Sequence, residues 1–335
     1  MFYIPNLPYA FYLAFRAGHP VFFSAANPGI KSSGNGSESK FETLSLIPKQ
    51  YIPKSIIHKS GSDFSETISA IENEKIEFPF IVKPDVGFRG LLVQVIDNQK
   101  DLESFLNKYP IDFIIQEYIQ FANECGIFFH KNPNSKTGKV TSITTKKFIS
   151  VQGDGTSSIR LLISNDKRAK LYKYYLFEAY KESLDSVPNE GEIILLSDIG
   201  NHSKGTQFIN GNHLISESLQ KAMNSICERI PGYFYGRMDL RFNSLAELEK
   251  GENLKILELN GIISEPTHIY DADKGSYFGA LKSIRTHWKH LFEVSTSNHK
   301  HFKVPYKSPS KFISELFELR KYAKQIKKLH ESSLR

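Results

Sequence analysis

Cysteine is nearly missing from this chain: there are two in 335 residues, Cys125 and Cys227, far apart and in no CxxC pair. That excludes a disulfide framework and a cysteine-based zinc site, and it makes a reducing, cytoplasmic setting the expectation. Histidine is present, but never as H-E-x-x-H or in paired Cys/His spacing, so a zinc hydrolase is not expected. No uncharged apolar run reaches the roughly 18–20 residues that span a bilayer. The start, MFYIPNLPYAFYLAFR, lacks a basic region ahead of its apolar part, which speaks against a signal peptide. Also missing are G-x-x-x-x-G-K-[ST], a G-x-G-x-x-G opening a helix, G-x-S-x-G, and the protein-kinase catalytic-loop and D-F-G motifs. There is no internal repeat, no heptad array and no helix-turn-helix or aromatic–basic sheet signature, so nucleic acid is not an expected partner.

What is there is ordinary globular usage, with 40% hydrophobic and 24% charged residues. The length suggests two or three domains or subdomains. The net charge of +7 suits a polyanionic ligand or surface without choosing one.

The run LKILELNGIISEPTHIYD (residues 254–271) carries the most informative pattern. A strand alternates its side chains between faces, so Leu257 and Leu259 are expected on one side and Ile256, Glu258 and Asn260 on the other. Two oxygen ligands on one strand face, roughly 7 Å apart, suit a hard cation such as Mg²⁺. The run YFYGRMDLRF (233–242) is the complement: Arg237, Asp239 and Arg241 share a face, with Met238, Leu240 and Phe242 opposite. Paired antiparallel, the two runs would aim Asp239, Glu258 and Asn260 at one space beside guanidinium groups, as a metal–phosphate site requires. Two amphipathic strands with polar outer faces are the plain alternative.

In chain order, residues 7–15 read as a short helix and 20–25 as a short buried strand. FFSAANPGI (22–30) ends in an Asn-Pro-Gly turn. The N-terminal aromatics are most simply core, with a lipid-facing or hydrophobic-substrate role as the alternative. Residues 31–40 are Gly/Ser-rich and read as a flexible loop closed by Lys40, with a short helix before Pro48. Strand-like runs at 80–83 and 91–96 flank PDVGFRG (84–90). Such a flap can cover phosphates with backbone N–H groups and Arg89, with Lys83 beside it. A helix at 101–109 leads to strands at 113–119, 125–130 and 140–150. Gln116 and Glu117 interrupt the first, Glu124 opens the second, and the third carries Lys146 and Lys147, neighbours that must point to opposite faces. A Gly-Asp-Gly turn precedes possible caps at 156–158 and a short helix. Further helices are expected at 171–184, 216–230, 276–292 and 310–330, with a strand at 192–196 and a short helical insertion at 243–252. The segment 198–211 reads as a polar loop. The basic face of the last helix is expected to be solvated, with an acidic partner or membrane surface as the alternative.

In this order the motifs resemble the ATP-grasp superfamily, in particular its carboxylate–amine ligase branch of D-alanine–D-alanine ligases and cyanophycin-synthetase-like enzymes. The matching pieces are VKPDVGFRG (82–90), IIQEYI (114–119), NECGIFF (123–129), KKFISVQGDGTSSIRLLI (146–163), GRMDLRF (236–242) and LELNG (257–261), within about residues 40–295. The resemblance implies an α/β (α+β) ATP-grasp fold in which two α+β subdomains clasp ATP. The implied parts are a reduced N-terminal segment (1–75), a small subdomain with the Gly-rich flap (76–122), a large subdomain with the metal site (123–295) and a basic C-terminal helix (296–335).

Roles follow from the same resemblance. Lys83 would contact ATP phosphates beneath the flap, with Gly87, Arg89 and Gly90 in it, and Lys40 would be the earlier nucleotide lysine. Gln116, Glu117, Tyr118 and Ile119 would hold adenine, Glu124 the ribose, and Lys146 or Lys147 would sit near the nucleotide. Arg237 would steady phosphate or an acyl phosphate. Asp239, Glu258 and Asn260 would hold Mg²⁺, as two ions, with Mn²⁺ as a substitute. The implied reaction activates a carboxylate with ATP, releases ADP, and lets an amine displace phosphate. The implied partners are small-molecule or peptide carboxylates and amines, and a homodimer is possible. A phosphotransferase and a non-catalytic nucleotide-binding protein are the alternatives. The chain departs from the family in its short N-terminal part and after LELNG, where IISEPTHIYD replaces Pro-Gly. That makes Glu265, Thr267 and His268 candidate substrate contacts, with Asn201, His202 and Lys204 in the polar loop and the FFSAANPGI turn as further candidates.

Overall fold

The computed structural model describes residues 2–87, 90–198, 200–201 and 204–333. Helix α1 (Leu7–Ala17) has Pro8 in its first turn and stops at Gly18, whose φ of 67° is cheap only for glycine. Helix α2 (Lys40–Ser45) begins where the Ser39 hydroxyl accepts the Glu42 N–H. Strand β1 (Ser55–His58), helix α3 (Phe64–Asn73), strands β2 (Phe80–Pro84) and β3 (Gln94–Ile96), helix α4 (Gln99–Lys108) and strand β4 (Phe113–Glu117) follow. The four strands make an antiparallel sheet in the order β1-β4-β2-β3. Alternate residues Phe80, Val82, Phe113 and Ile115 pack on Ile71 of α3 and Leu102 and Phe105 of α4. β1 belongs to this sheet although it lies upstream of residue 76.

The larger part contains β5 (Asn123–His130), β6 (Lys139–Lys147), β7 (Ser150–Gln152), α5 (Ile159–Asn165), α6 (Lys173–Ala179), β8 (Ile193–Leu195), β9 (Gln207–Asn210), α7 (Glu217–Cys227), β10 (Tyr235–Phe242), α8 (Leu245–Leu248) and β11 (Leu254–Asn260). A five-stranded antiparallel sheet runs β11-β10-β5-β6-β9, and β7 pairs with β8 in a separate ribbon. One face of the large sheet is apolar, where Leu219, Met223 and Ile226 of α7 meet Ile127, Met238, Leu240 and Ile256. At the far end of the other face, Phe128 and Tyr235 pack against Leu291 and Val294 of helix α9 (Tyr277–Phe302). The rest of that face holds the polar residues. Helix α10 (Pro309–Ser333) returns to the small sheet, where Ile326 joins its core.

Several expectations are corrected. The apolar run at 20–25 is not a strand but a 3₁₀ turn, Phe22–Ala25, closed by the Ser24 hydroxyl donating to Val21 O at 2.7 Å. The Gly/Ser-rich segment 31–40 is packed rather than loose, with Ser33 and Asn35 buried and the Ile262 N–H donating to Ser33 O at 3.0 Å. Within 91–96 only Gln94–Ile96 is strand, because Leu92 adopts a φ of 55°. The helix expected over 171–184 is a 3₁₀ turn followed by the seven-residue α6, and the helix expected to end at 292 continues to Phe302. The polar loop 198–211 contains edge strand β9, whose residues are all half-buried and so lack the apolar alternation that marks a strand.

The most consequential correction is in β11. Asp239 is paired with Glu258 but Leu240 with Ile256, so a bulge at Leu257 breaks strict alternation. Ile256, expected beside Glu258, therefore turns into the core and is fully buried. Glu258 and Asn260 keep the site face, and the bulged residue offers its carbonyl there.

Candidate active site

On the site face, Arg237 and Asp239 sit two residues apart on β10. Arg237 Nε donates to Asp239 Oδ1 at 2.8 Å and Nη2 to Oδ2 at 3.0 Å, a bidentate grip. Gly126 of β5 lies opposite Asp239, and a Cβ there would come within 2.9 Å of Asp239 Oδ1, so only glycine leaves room for the pair. Lys146 Nζ is 4.0 Å from Asp239 Oδ1 and 2.6 Å from Glu124 Oε1, with both side chains buried. Burial alone would raise the Asp239 carboxyl, but Arg237, Lys146 and Lys40 outweigh it and hold it at about 2. Burial would lower the Lys146 ammonium, and Asp239 and Glu124 instead carry it above the usual lysine range.

Two further lysines enter from the small sheet and α2. The Lys40 ammonium contacts the Glu258 carboxylate. It is aimed there by Asp85, whose carboxylate accepts the Phe41 N–H and the Ser39 hydroxyl, each at 2.9 Å, and whose carbonyl accepts the Lys40 N–H at 3.1 Å. Gly87 keeps the way clear, since a Cβ there would stand 3.3 Å from Lys40 Cε. Lys83 Nζ donates to Gln116 Oε1 at 2.9 Å and to the bulge carbonyl of Leu257 at 3.0 Å. It thus joins the small sheet to β11. Burial, reinforced by the Lys40 charge, pushes Lys83 down to about 7 despite Glu124 and Asp85. Burial lowers Lys40 as well.

Arg241, on the same face of β10, connects the strand after the small sheet to this cluster. Its Nη1 donates to Ile119 O and its Nη2 to Asp198 O, each at 2.6 Å, and its Nε lies 3.3 Å from Glu124 Oε2. The guanidinium stands 5.7 Å from the Tyr118 ring centroid and 5.3 Å from that of Phe148. The Tyr118 hydroxyl contacts the Asp198 carboxylate. Sequence reading placed Arg241 on the right face without giving it this role. Asp198 had no signal at all, because its partners are more than 40 residues away.

The structure thus brings together Lys40, Lys83, Gln116, Ile119, Glu124, Lys146, Arg237, Asp239 and Glu258. Gln116 is buried and bridges Lys83 to Ser55, its Nε2 donating to Ser55 Oγ at 3.0 Å. Glu117 points away, its carboxylate accepting the Lys54 N–H at 3.1 Å. Lys147 is exposed on the opposite side from Lys146. Gly90 has a φ of 75°, and a Cβ on it would lie 3.3 Å from Asn201 Nδ2, so the segment after β8 meets the flap. Lys204 Nζ stacks 4.0 Å from the Tyr175 ring centroid. Arg89 and His202 lie outside the described residues. Glu265 accepts the Tyr270 hydroxyl at 2.7 Å and its carbonyl accepts Arg237 Nη1 at 3.2 Å. Thr267 is buried against Thr144, with the hydroxyl oxygens 3.0 Å apart, while His268 Nδ1 is 2.6 Å from Ser142 Oγ and its Nε2 is 3.4 Å from Ser283 Oγ. These two side chains are occupied within the protein.

Among the described residues no three His, Cys, Asp or Glu side chains converge as a metal centre does. A cation site would therefore rest on Asp239, Glu258 and the Asn260 amide. Asp239 and Glu258 are paired across β10 and β11 and Asn260 keeps the same face, so their carboxylate and amide oxygens are the donor types a hard cation takes.

Among curated proteins no relative matches the sequence. Solved structures with a similar chain path include three of low identity. A bifunctional glutathione synthetase from Pasteurella multocida is 16% identical, with a TM-score of 0.39, over 76% of this chain and 35% of its own. A D-alanine–D-alanine ligase from Bacillus anthracis is 13% identical, with a TM-score of 0.44, over 78% of this chain and 68% of its own. The D-Ala:D-Ser ligase VanG from Enterococcus faecalis is 12% identical, with a TM-score of 0.39, over 77% and 61%. The chain thus spans about a third of the glutathione synthetase's length. A family model matches part of the chain. Described as a RimK-like ATP-grasp domain, it matches residues 37–129, which run from the approach to α2 through the small sheet into β5. Those residues contain Lys40, Lys83, Gly87, Gly90, strand β4 and Glu124, and they are similar to a RimK-like ATP-grasp domain.

Proposed function

We propose that the chain is an ATP- and Mg²⁺-dependent carboxylate–amine ligase that passes through an acyl phosphate and releases ADP and phosphate. The observation that carries the reading is the convergence of Lys40, Lys83, Lys146 and Arg237 on the carboxylates Glu124, Asp239 and Glu258 and the Leu257 carbonyl. Phosphoryl transfer asks a protein mainly for positioning and for cations around developing negative charge. Here four cations converge, each within reach of a carboxylate or carbonyl and ready to exchange that partner for a phosphate oxygen. Asp239, Glu258 and Asn260 would hold Mg²⁺, which when bound neutralises phosphate charge. Arg241 fixes Ile119 and Glu124, the hinge carbonyl for adenine and the carboxylate for ribose. The purified chain is to be incubated with ATP and Mg²⁺, with and without a small-metabolite extract. ADP and phosphate appearing only with extract, together with a new carbon–nitrogen product, is the expected result. AMP with pyrophosphate overturns the mechanism, and a phosphorylated product with no amine incorporated makes the chain a phosphotransferase.

Lys83 gives this reading a pH signature. With the ammonium at about 7, the cation is about 90% present at pH 6 and largely lost by pH 8.5. Nucleotide affinity is expected to fall as pH rises through that window, by up to about tenfold per unit where binding needs the charged form. Lys83→Met should bind weakly at pH 6 and show a flat profile. Calorimetric titrations at pH 6, 7 and 8.5 check this, and a parent profile as flat as the variant's rules it out.

A further inference from the structure

Helix α1 is turned inside out. At about 100° per residue, Leu7, Pro8, Phe11, Tyr12 and Phe15 share one face. That is the face turned to solvent: Phe11 is 70% and Phe15 85% exposed, and Ile4, in the turn just before α1, is 61% exposed. The opposite face holds Leu13, the one buried residue of α1, with Asn6 just ahead of the helix. The exposed stripe has no polar member except the Tyr12 hydroxyl. Contiguous apolar surface of this kind marks an interaction site.

The neighbourhood indicates what covers it. Helix α1 runs alongside α9 in the same direction: Asn6 Nδ2 donates to Leu281 O at 3.3 Å, Arg285 Nε donates to Asn6 Oδ1 at 2.6 Å, and Arg16 lies 5.4 Å from the Phe292 ring centroid. On α9, Phe278, Lys282, Arg285 and Lys289 recur at helical spacing, all exposed, with Phe278 at 80%. The helix that packs beside α1 thus carries its own stripe of exposed cations, headed by another exposed phenylalanine. Ahead of Glu38 the chain contains no Asp or Glu, so nothing on α1 opposes an anionic surface. The acidic residue beside the stripe is Glu293, which lies 3.7 Å from Lys289. No described helix is long and apolar enough to cross a membrane.

We propose that the α1 face and the α9 basic stripe form a docking surface for an anionic phospholipid bilayer, with the side chains of Phe11 and Phe15 entering the interface and Lys282 and Arg285 meeting the headgroups. An in-plane helix with aromatic and aliphatic residues on one side and Lys/Arg along its border has the chemistry for this. A second protein copy would need acidic groups to meet the stripe, and the α1 face itself supplies none.

The test is co-sedimentation of the full chain with vesicles of phosphatidylcholine alone and with about 30% phosphatidylglycerol. Binding at least about tenfold stronger to the anionic vesicles, weakening with salt, is expected. The double variant Phe11→Glu/Phe15→Glu should lose binding about tenfold or more with an unchanged melting curve, since both side chains are solvent-facing. Lys282→Glu should weaken it about fivefold at low salt only. Equal binding of parent and double variant, or none by the parent, overturns the proposal. A parent that is dimeric by sedimentation and made monomeric by the double variant also overturns it, because a second copy would then be the occupant.

Discussion

Glu258→Gln is expected to lower ATP turnover by about a thousandfold, a loss of ~4 kcal/mol at the transition state, while leaving the fold intact. The two halves of that expectation have separate causes. Glutamine keeps the size and the backbone of β11, and the Glu258 side chain is 31% exposed, so its loss of charge leaves Lys40 able to reach water. What disappears is one of the two carboxylates that would hold the cation. Asp239→Asn is the instructive contrast. It strips a buried carboxylate from the bidentate grip of Arg237, which loses its carboxylate partner, and from Lys146 at 4.0 Å, which keeps Glu124 at 2.6 Å. Breaking such a pair costs about 3–5 kcal/mol of stability, so that variant confounds folding with chemistry. Rates of ADP release alongside melting curves for both variants distinguish them. A Glu258→Gln protein that keeps more than a tenth of the parent rate removes Glu258 from the cation site.

The shared face of the candidate site was legible because its strand residues obey strand periodicity at short range. Arg237, Asp239 and Arg241 alternate with Met238, Leu240 and Phe242, and the structure sends the two sets to opposite faces as read. Glu258 and Asn260 were read correctly for an incomplete reason: the bulge at Leu257 shifts the phase, and only the residues after it keep the expected side. A bulge leaves no mark in the pattern of apolar residues, so Ile256 was placed wrongly and the Leu257 carbonyl, an acceptor for Lys83, was invisible. Lys146 and Lys147 show the limit from the other side. Alternation required opposite faces but could not choose, and the choice came from Glu124 and Asp239 across neighbouring strands. The segment 20–40 was misread most, as strand and loose loop. Composition there reports local freedom, whereas its order comes from partners some 200 residues away.

Asn27 is the centre of that misread segment, and Asn27→Ala is expected to cost about 3–5 kcal/mol of stability, a fall of roughly 4–7 °C in melting temperature. Its side chain is fully buried and every hydrogen bond it makes goes to backbone. Oδ1 accepts the N–H groups of Phe234 and Tyr235 at 2.8 and 2.9 Å, and Nδ2 donates to Tyr235 O at 2.8 Å and Ser33 O at 3.2 Å. Alanine strands the Phe234 and Tyr235 N–H groups and takes a donor from the carbonyls of Tyr235 and Ser33, of which Ser33 O keeps the Ile262 N–H at 3.0 Å. The same brace sets the site, because Tyr235 begins the strand that carries Arg237 and Asp239, and the Ser33–Gly34 backbone packs directly on Gly261 beside Asn260, where a Cβ on Gly34 would come within 2.6 Å of Gly261 Cα. Asn27→Asp separates the donors from the acceptors. Its carboxylate can still accept from Phe234 and Tyr235 but confronts the carbonyls of Ser33 and Tyr235 with negative charge. Burial and those carbonyls raise the carboxyl above its unfolded value of about 4, so the folded state holds the proton more tightly. Stability of this variant relative to the parent is then greatest below about pH 4 and falls as pH rises through the raised value. Thermal melts of both proteins from pH 4 to pH 8 decide the matter: a difference between them that does not widen with pH means the amide of Asn27 is not the brace.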